Sequence, residues 1–143
     1  MLQKQICVFV ENKKGRLAEV TKALGDNGVD MSALSIAYTT DFGILRLIVD
    51  DPDKAEKALR ENGFTVSITD VIAMSVQDKP GGLAEALGIL DNLDINIEYM
   101  YAFLRKNSNM ATVIVRVANP QEAIEKIRET SISLLTQEEL NSI

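Results

Sequence analysis

Val10-Glu-Asn-Lys-Lys-Gly-Arg-Leu-Ala-Glu19 recurs 66 positions later as Val76-Gln-Asp-Lys-Pro-Gly-Gly-Leu-Ala-Glu85, with Val, Lys, Gly, Leu, Ala and Glu in register. Self-similarity at a fixed period is the signature of a repeated structural unit. The match continues without a gap to Leu24 over Leu90 and to Val29-Asp30-Met31 over Ile95-Asn96-Ile97. Two extra residues near Lys106 to Ser108 shift the offset to 68, which sets Asp51-Pro52 over Asn119-Pro120 and Arg60-Glu61 over Arg128-Glu129. Two copies of one unit, 1–70 and 71–143, fill the chain.

Each copy has the same grammar. Ile6, Val8 and Val10 alternate with Gln5, Cys7 and Phe9 before a turn at 12–15, which predicts a strand and a loop. Leu17, Val20 and Leu24 are spaced as one face of a helix that Gly25 and Gly28 stop. Two β-rich runs, 30–38 and 42–50, flank Thr39-Thr40-Asp41 as a hairpin. Pro52 opens a second helix with Ala55, Ala58 and Leu59 on its apolar face, and 64–70 supplies a fourth strand. In the second copy the corresponding elements are strands at 71–77, 96–104, 110–117 and 131–135 and helices at 81–93 and 120–129, followed by a short terminal helix near 137–140. The order βαββαβ, twice, defines an α+β chain of two ferredoxin-like repeats, each an antiparallel sheet with both helices on one face. The stretch 65–76 alternates without a Gly, Pro or Ser-rich break, so the last strand of one copy runs into the first strand of the next and the copies are expected to be rigidly related.

Composition narrows the chemistry. The 143 residues are 46% hydrophobic and carry 15 Lys and Arg against 21 Asp and Glu, a net charge of -6 that argues against a nucleic-acid partner. Halves of about 70 residues would each be marginal alone, so the two copies should lean on one another. With no His and one Cys, a single chain has no disulfide framework, CxxC pair, zinc cluster or His base. Neither a metal nor a cofactor is expected, and Cys7 reads as a small buried hydrophobe. No apolar run approaches the roughly 20 residues a membrane span needs, and the N-terminus has no signal core, so a cytoplasmic protein with no membrane partner is expected.

The loop between first strand and first helix is the most informative site. Asn12-Lys-Lys-Gly15 and Asp78-Lys-Pro-Gly81 each place a short polar side chain ahead of a glycine that opens a helix. Glycine admits a ligand to the backbone, and first-turn N–H groups attract a carboxylate. The same residue types also suit any helix start. Asp30 and Asn96 add a second short polar group at the start of strand two in each copy. Tyr38, Tyr99 and Tyr101 fit tyrosines that pack with the hydroxyl reaching water, and Lys13, Lys14, Arg105 and Lys106 fit solvated loop charges.

A βαββαβ unit with N/D-x-x-G-x-L-A on its first loop and Val-Asp-Met or Ile-Asn-Ile at strand two resembles the ACT domain, over residues 3 to 137 as a tandem pair. Copy two, with Asp78-Lys79-Pro80-Gly81, is the closer match; copy one has Lys14 where Pro is usual. The resemblance implies a module that binds an amino acid or similar small carboxylate and regulates a metabolic enzyme, with modules paired side by side and a homodimer as the assembly. It implies ligand-binding loops at Asn12, Gly15, Arg16 and Leu17 and at Asp78, Pro80, Gly81, Gly82 and Leu83. Facing them would be Asp30 and Met31, and Asn96 and Ile97. If copies pair within the chain, Asn12 meets Asn96 and Asp78 meets Asp30, two carboxylates that favour an α-ammonium between them; pairing of like copies between chains gives each site one acid and one amide. Gly81→Val should then block the ligand at little cost to stability. An obligate enzyme subunit that needs no ligand is the alternative. Catalysis is not expected, since the short Asn12–Gly15 loop lacks the arginine-lined phosphate cradle of the small ferredoxin-like phosphatases, and the chain lacks the CxxC of metal chaperones and the aromatic stripes of RNA-binding modules on this plan.

Overall fold

In the computed structural model, residues 2–105 and 107–142 are described. Lys106, read above as a solvated loop charge, lies outside them, as do Met1 and Ile143. The elements run β1 (Gln3–Glu11), α1 (Arg16–Asp26), β2 (Met31–Tyr38), β3 (Phe42–Val49), α2 (Pro52–Glu61), β4 (Thr65–Gln77), α3 (Gly82–Asn92), β5 (Ile97–Leu104), β6 (Met110–Val117), α4 (Pro120–Ile127), β7 (Ser133–Leu134) and α5 (Gln137–Asn141). The chain divides into two compact units, Lys4–Thr69 and Asp70–Ile143, the second of which also takes in the first three residues. β4 is one unbroken strand that contributes Thr65 to Thr69 to the first unit and Asp70 to Gln77 to the second.

In the first unit the strand order is β2-β3-β1-β4. β3 pairs antiparallel with both β1 and β2. Alternation puts Ile6, Val8, Val10, Leu45, Leu47, Val49 and Val66 on one sheet face, where they meet Val20, Ala23 and Leu24 of α1 and Ala55 and Leu59 of α2 in one buried cluster. Both helices therefore cover the same face. Burying these branched side chains is the main favourable term, about 1.5–3 kcal/mol for each large one. Cys7 points to the other face, where it is half-buried rather than buried; its Sγ accepts from Gln5 Nε2 (3.3 Å) and lies 3.5 Å from Thr69 Oγ1.

The second unit repeats the plan. β6 pairs antiparallel with β4 and β5, and β7 pairs with β4 through Met74↔Leu134 and Ser75↔Ser133. Ile72, Met74, Val76, Val113, Val115 and Val117 meet Ala86 and Leu90 of α3 and Ala123, Ile124 and Ile127 of α4. Leu2 packs against this cluster, and Gln3 Nε2 donates to the Leu135 carbonyl at 2.9 Å. The strand expected over 131–135 shrinks to two residues. Thr130 Oγ1, which accepts from the Ile132 N–H (3.2 Å), turns the chain just before it, so the ladder starts late.

Candidate functional site

The four long helices begin in two different ways. Asp51 and Asn119 cap α2 and α4, accepting from Lys54 N–H (3.1 Å) and Glu122 N–H (3.2 Å), with Pro in the first turn of each helix. At α1 and α3 the cap residue is instead a glycine in the left-handed region, Gly15 (φ +91°) and Gly81 (φ +83°), which offers no side chain to the first turn. Helix N-termini of this kind leave N–H groups facing outward with a partial positive charge.

Gly81 and Gly82 have different tasks. Nothing lies within 4 Å of where a Cβ on Gly81 would stand, but its φ belongs to glycine. Gly82 is buried, and a Cβ there would run into the carbonyl of Gln77. The expectation that Gly81→Val costs little stability is therefore corrected: a β-branched residue in the left-handed region is strained whatever the space around it.

The polar residues ahead of these glycines also differ. Asn12 is stapled to the β2–β3 hairpin tip: its N–H donates to the Asp41 carbonyl (2.8 Å) and Nδ2 to the carbonyls of Thr39 (3.4 Å) and Thr40 (3.3 Å). Asp78 repeats only the backbone bond, to the Asn109 carbonyl (2.8 Å). A carboxylate cannot donate, and among the described residues that of Asp78 makes no hydrogen bond or ion pair. Pro80 is exposed beside it. Leu17 stands in solvent, whereas Leu83 packs partly against the second core.

Asp30 and Asn96 are exposed, and the Asp30 N–H donates to Asp50 Oδ1 at 3.0 Å. Their neighbours Met31 and Ile97 pack against the two cores. Within a unit the loop and the start of strand two lie at opposite ends of the sheet. Glu11 pairs with Phe42, but Met31 with Val49; Gln77 pairs with Met110, but Ile97 with Val117. Roughly seven strand residues separate the two ends, about 23 Å. Asn12 and Asp30 do not converge within the first unit, nor do Asp78 and Asn96 within the second.

Each unit does form a groove beside its first helix, at repeat-equivalent positions. The first, about 300 Å³, is lined by Phe9, Glu11, Arg16, Glu19, Phe42 and Phe64 among others; the second, about 390 Å³, by Ser75, Gln77, Gly82, Glu85, Met110 and Ile132, with Lys79. In the first groove the charges are satisfied internally. Arg16 Nη1 donates to Glu19 (2.8 Å) and Nη2 to Glu11 (3.5 Å), and Lys13 Nζ is 2.8 Å from Glu11. The hydrogen bond and charge of Lys13, helped by Arg16, hold the Glu11 carboxyl below its ordinary value, and Glu19, then Glu11, raise Arg16. Lys79 and Glu85 line the second groove, where Gln77 and Gly82 stand at the repeat positions of Glu11 and Arg16. Among the described residues no group of three or more His, Cys, Asp or Glu could hold a metal ion, and no helix is long and apolar enough to cross a membrane.

Two consecutive ferredoxin-like units, each with a glycine-capped first helix, define a tandem βαββαβ module of one repeated design. The chain belongs to the ACT domain pair family, whose profile matches residues 1–143. That family is one of regulatory modules. It is similar over its whole length to protein BT0572 from Bacteroides thetaiotaomicron, with 47% identity, TM-score 0.93 and coverage of 100% of this chain and 98% of that one. The ligand-free regulatory subunit of aspartate kinase from Thermus thermophilus shares the fold at 18% identity and TM-score 0.64, over 90% of this chain and 93% of that one. The corresponding subunit from Thermus flavus does so at 15% and 0.58, with the same coverage. No match is found among curated proteins.

Proposed function

We propose that this chain is a cytoplasmic sensor that binds a free amino acid or a related small carboxylate and thereby regulates a separate metabolic enzyme. The observation that carries the reading is the open first loop of the second unit in a member of the ACT domain pair family: a glycine-capped helix beside a carboxylate, Asp78, with no internal partner among the described residues. The ligand-binding residues are then Asp78, Pro80, Gly81, Gly82 and Leu83 at one end of the second unit's sheet and Asn96 and Ile97 at the other, each end facing the complementary end of a neighbouring module rather than the other end of its own. Asn12, Gly15, Arg16, Leu17, Asp30 and Met31 are their counterparts in the first unit. Two aspartate kinase regulatory subunits share the fold, in keeping with an enzyme of amino-acid metabolism as the partner.

A homodimer is part of the same proposal. The edge strands β2 and β5 expose apolar side chains at equivalent repeat positions, Leu34 (55%) with Met100 (38%), and Tyr38 (45%) with Leu104 (70%). Exposed apolar edge strands invite a partner strand.

The test is a thermal-shift screen of the full chain against amino acids and small carboxylates. A ligand present at 100 times its Kd adds about 2.7 kcal/mol to stability, which is readily seen. A chain that no such compound stabilises, but that co-purifies with an enzyme, is the ligand-independent subunit instead.

A further inference from the structure

We infer that Asn27 and Asn62, the two asparagines of the chain that are followed by glycine, are deamidation sites confined to the first unit, and that Asn27 at the end of α1 converts first. The change is one-way and needs no reactant but water.

In this reaction the backbone nitrogen of the glycine attacks the asparagine Cγ. A nitrogen–carbon bond forms, the bond from Cγ to Nδ2 breaks, and Nδ2 leaves as ammonia with the hydrogen that the glycine nitrogen gives up. Water then opens the five-membered imide to aspartate, or to isoaspartate, in which the chain runs through the side-chain carbon. Glycine is the most permissive successor because no side chain shields its nitrogen. Both pairs occupy the same place in their helices. Asn27 and Asn62 end α1 and α2, and Gly28 (φ +69°) and Gly63 (φ +85°) follow in the left-handed region that favours glycine at such ends. At the repeat-equivalent positions the second unit has Leu93-Asp94 and Thr130-Ser131.

Both asparagines are exposed, but the folded helix ends engage the reacting atoms. Asn27 Nδ2 donates to the Ala23 carbonyl (2.8 Å) and Asn62 Nδ2 to the Ala58 carbonyl (2.7 Å). The nucleophiles are tied as well, the Gly28 N–H to the Gly25 carbonyl and the Gly63 N–H to the Arg60 carbonyl, each at 3.0 Å. Both bonds must break before the ring can close, so the rate reads how often each helix end opens. The two ends differ in what keeps them shut. α2 has a cation at its C-terminal pole, Arg60, whose Nη2 donates past the turn to the Val66 carbonyl (2.6 Å) and pairs with Glu56 (3.3 Å). α1 has no basic residue in its last turn, and Gly25 weakens that turn through its backbone freedom. Conversion then feeds on itself. An acid at position 27 cannot donate to Ala23, and it adds a carboxylate at the negative pole beside Asp26, whose charge Lys22 already balances at 2.7 Å. Val29, buried two residues further on and bonded to the Leu24 carbonyl, leads into β2, so the joint between α1 and β2 is what loosens.

Peptide mapping of the full chain, held at mildly alkaline pH in water enriched in oxygen-18, tests this, because each conversion fixes a labelled oxygen and trypsin places Asn27 and Asn62 on different peptides. In the folded chain Asn27 is expected to convert about fivefold faster than Asn62 or more, and in guanidinium chloride the two should convert at similar rates. Gly25→Ala, which firms the last turn without a clash, should slow Asn27 about fivefold and leave Asn62 unchanged. Asn27→Asp, one of the two products, should unfold at a lower urea concentration than the wild type. Equal rates at the two sites of the folded chain would mean that both react from globally unfolded molecules and would overturn the local opening of α1. Faster conversion of Asn62, or a Gly25→Ala chain in which Asn27 converts as before, would overturn the order and its cause. Label at both sites in guanidinium chloride and at neither in the folded chain would remove both as sites of the native protein.

Discussion

The carbonyl oxygen of Gln77 fills the space in which a side chain on Gly82 would begin. The last residue of β4 and the first of α3 thus touch backbone to backbone, which fixes how the helix leaves the sheet and keeps the groove beside it open. Gly82→Ala forces that contact apart and should destabilise the chain by about 1–3 kcal/mol, the cost of overpacking a tight site. Gly88 sits in the middle of the same helix, and nothing lies within 4 Å of the point its Cβ would occupy. There, alanine removes backbone freedom from the unfolded chain without a clash, so Gly88→Ala should stabilise by about 0.8–1 kcal/mol. Urea unfolding of both variants checks the pair. Equal effects of the two would mean that the Gln77 contact is not tight.

A second expectation concerns Gly81, whose constraint is conformational, not steric. At φ +83° an L-residue costs about 1–2 kcal/mol, and a β-branched one more. The order of stability should therefore be Gly81, then Gly81→Asn, then Gly81→Ala, then Gly81→Val, since Asn tolerates the left-handed region better than Ala. Any loss of ligand affinity in Gly81→Val has to be judged against this cost, with Gly81→Asn as the better probe of the loop.

Much of this was legible in the order of residues, and the particulars show why. The 66-residue offset reports the repeat because both copies must solve the same packing problem, and Asp51-Pro52 and Asn119-Pro120 mark helix starts because capping and proline geometry act over about three or four residues. Gly81 and Gly82 look alike in sequence. Only the return of the chain past Gln77 distinguishes a glycine that needs its dihedral from one that needs its missing side chain. The grooves were illegible for the same reason, since whether Lys79 is paired depends on what stands across from it on another element. Even so, the differences that open the second groove, Gln77 and Gly82, lay within the motif that revealed the repeat.

A third expectation follows from the ion cluster of the first unit. Lys13, then Arg16, lower the Glu11 carboxyl from its ordinary value of 4.5 when the chain is folded. A carboxyl depressed in the folded state adds stability that is fully present above the unfolded value and is lost as pH falls through the folded one. The wild type should therefore lose more of its urea midpoint between about pH 5 and pH 3 than Glu11→Gln does. Added salt should shrink the difference, because these side chains are exposed. Parallel pH profiles for the two proteins would show that the cluster contributes nothing to folding.

The final expectation separates the two loops by exchanging their polar residues. Asn12 uses its amide as a donor to the carbonyls of Thr39 and Thr40, so Asn12→Asp loses both bonds and sets a carboxylate against two carbonyl oxygens. For exposed bonds of 3.3–3.4 Å the cost should be about 0.5–1.5 kcal/mol. In the second unit the backbone bond from Asp78 to Asn109 matches that from Asn12 to Asp41, and Asn107 and Ser108 precede Asn109 as Thr39 and Thr40 precede Asp41. An amide at this position gains possible acceptors and loses no internal partner, so Asp78→Asn should leave stability unchanged or raise it slightly. If the carboxylate is instead retained for a ligand, the same variant should weaken amino-acid binding while its unfolding curve stays in place. Chemical denaturation and calorimetry on the two single variants read both effects. A destabilised Asp78→Asn would assign the acid a structural task and remove it from the ligand loop.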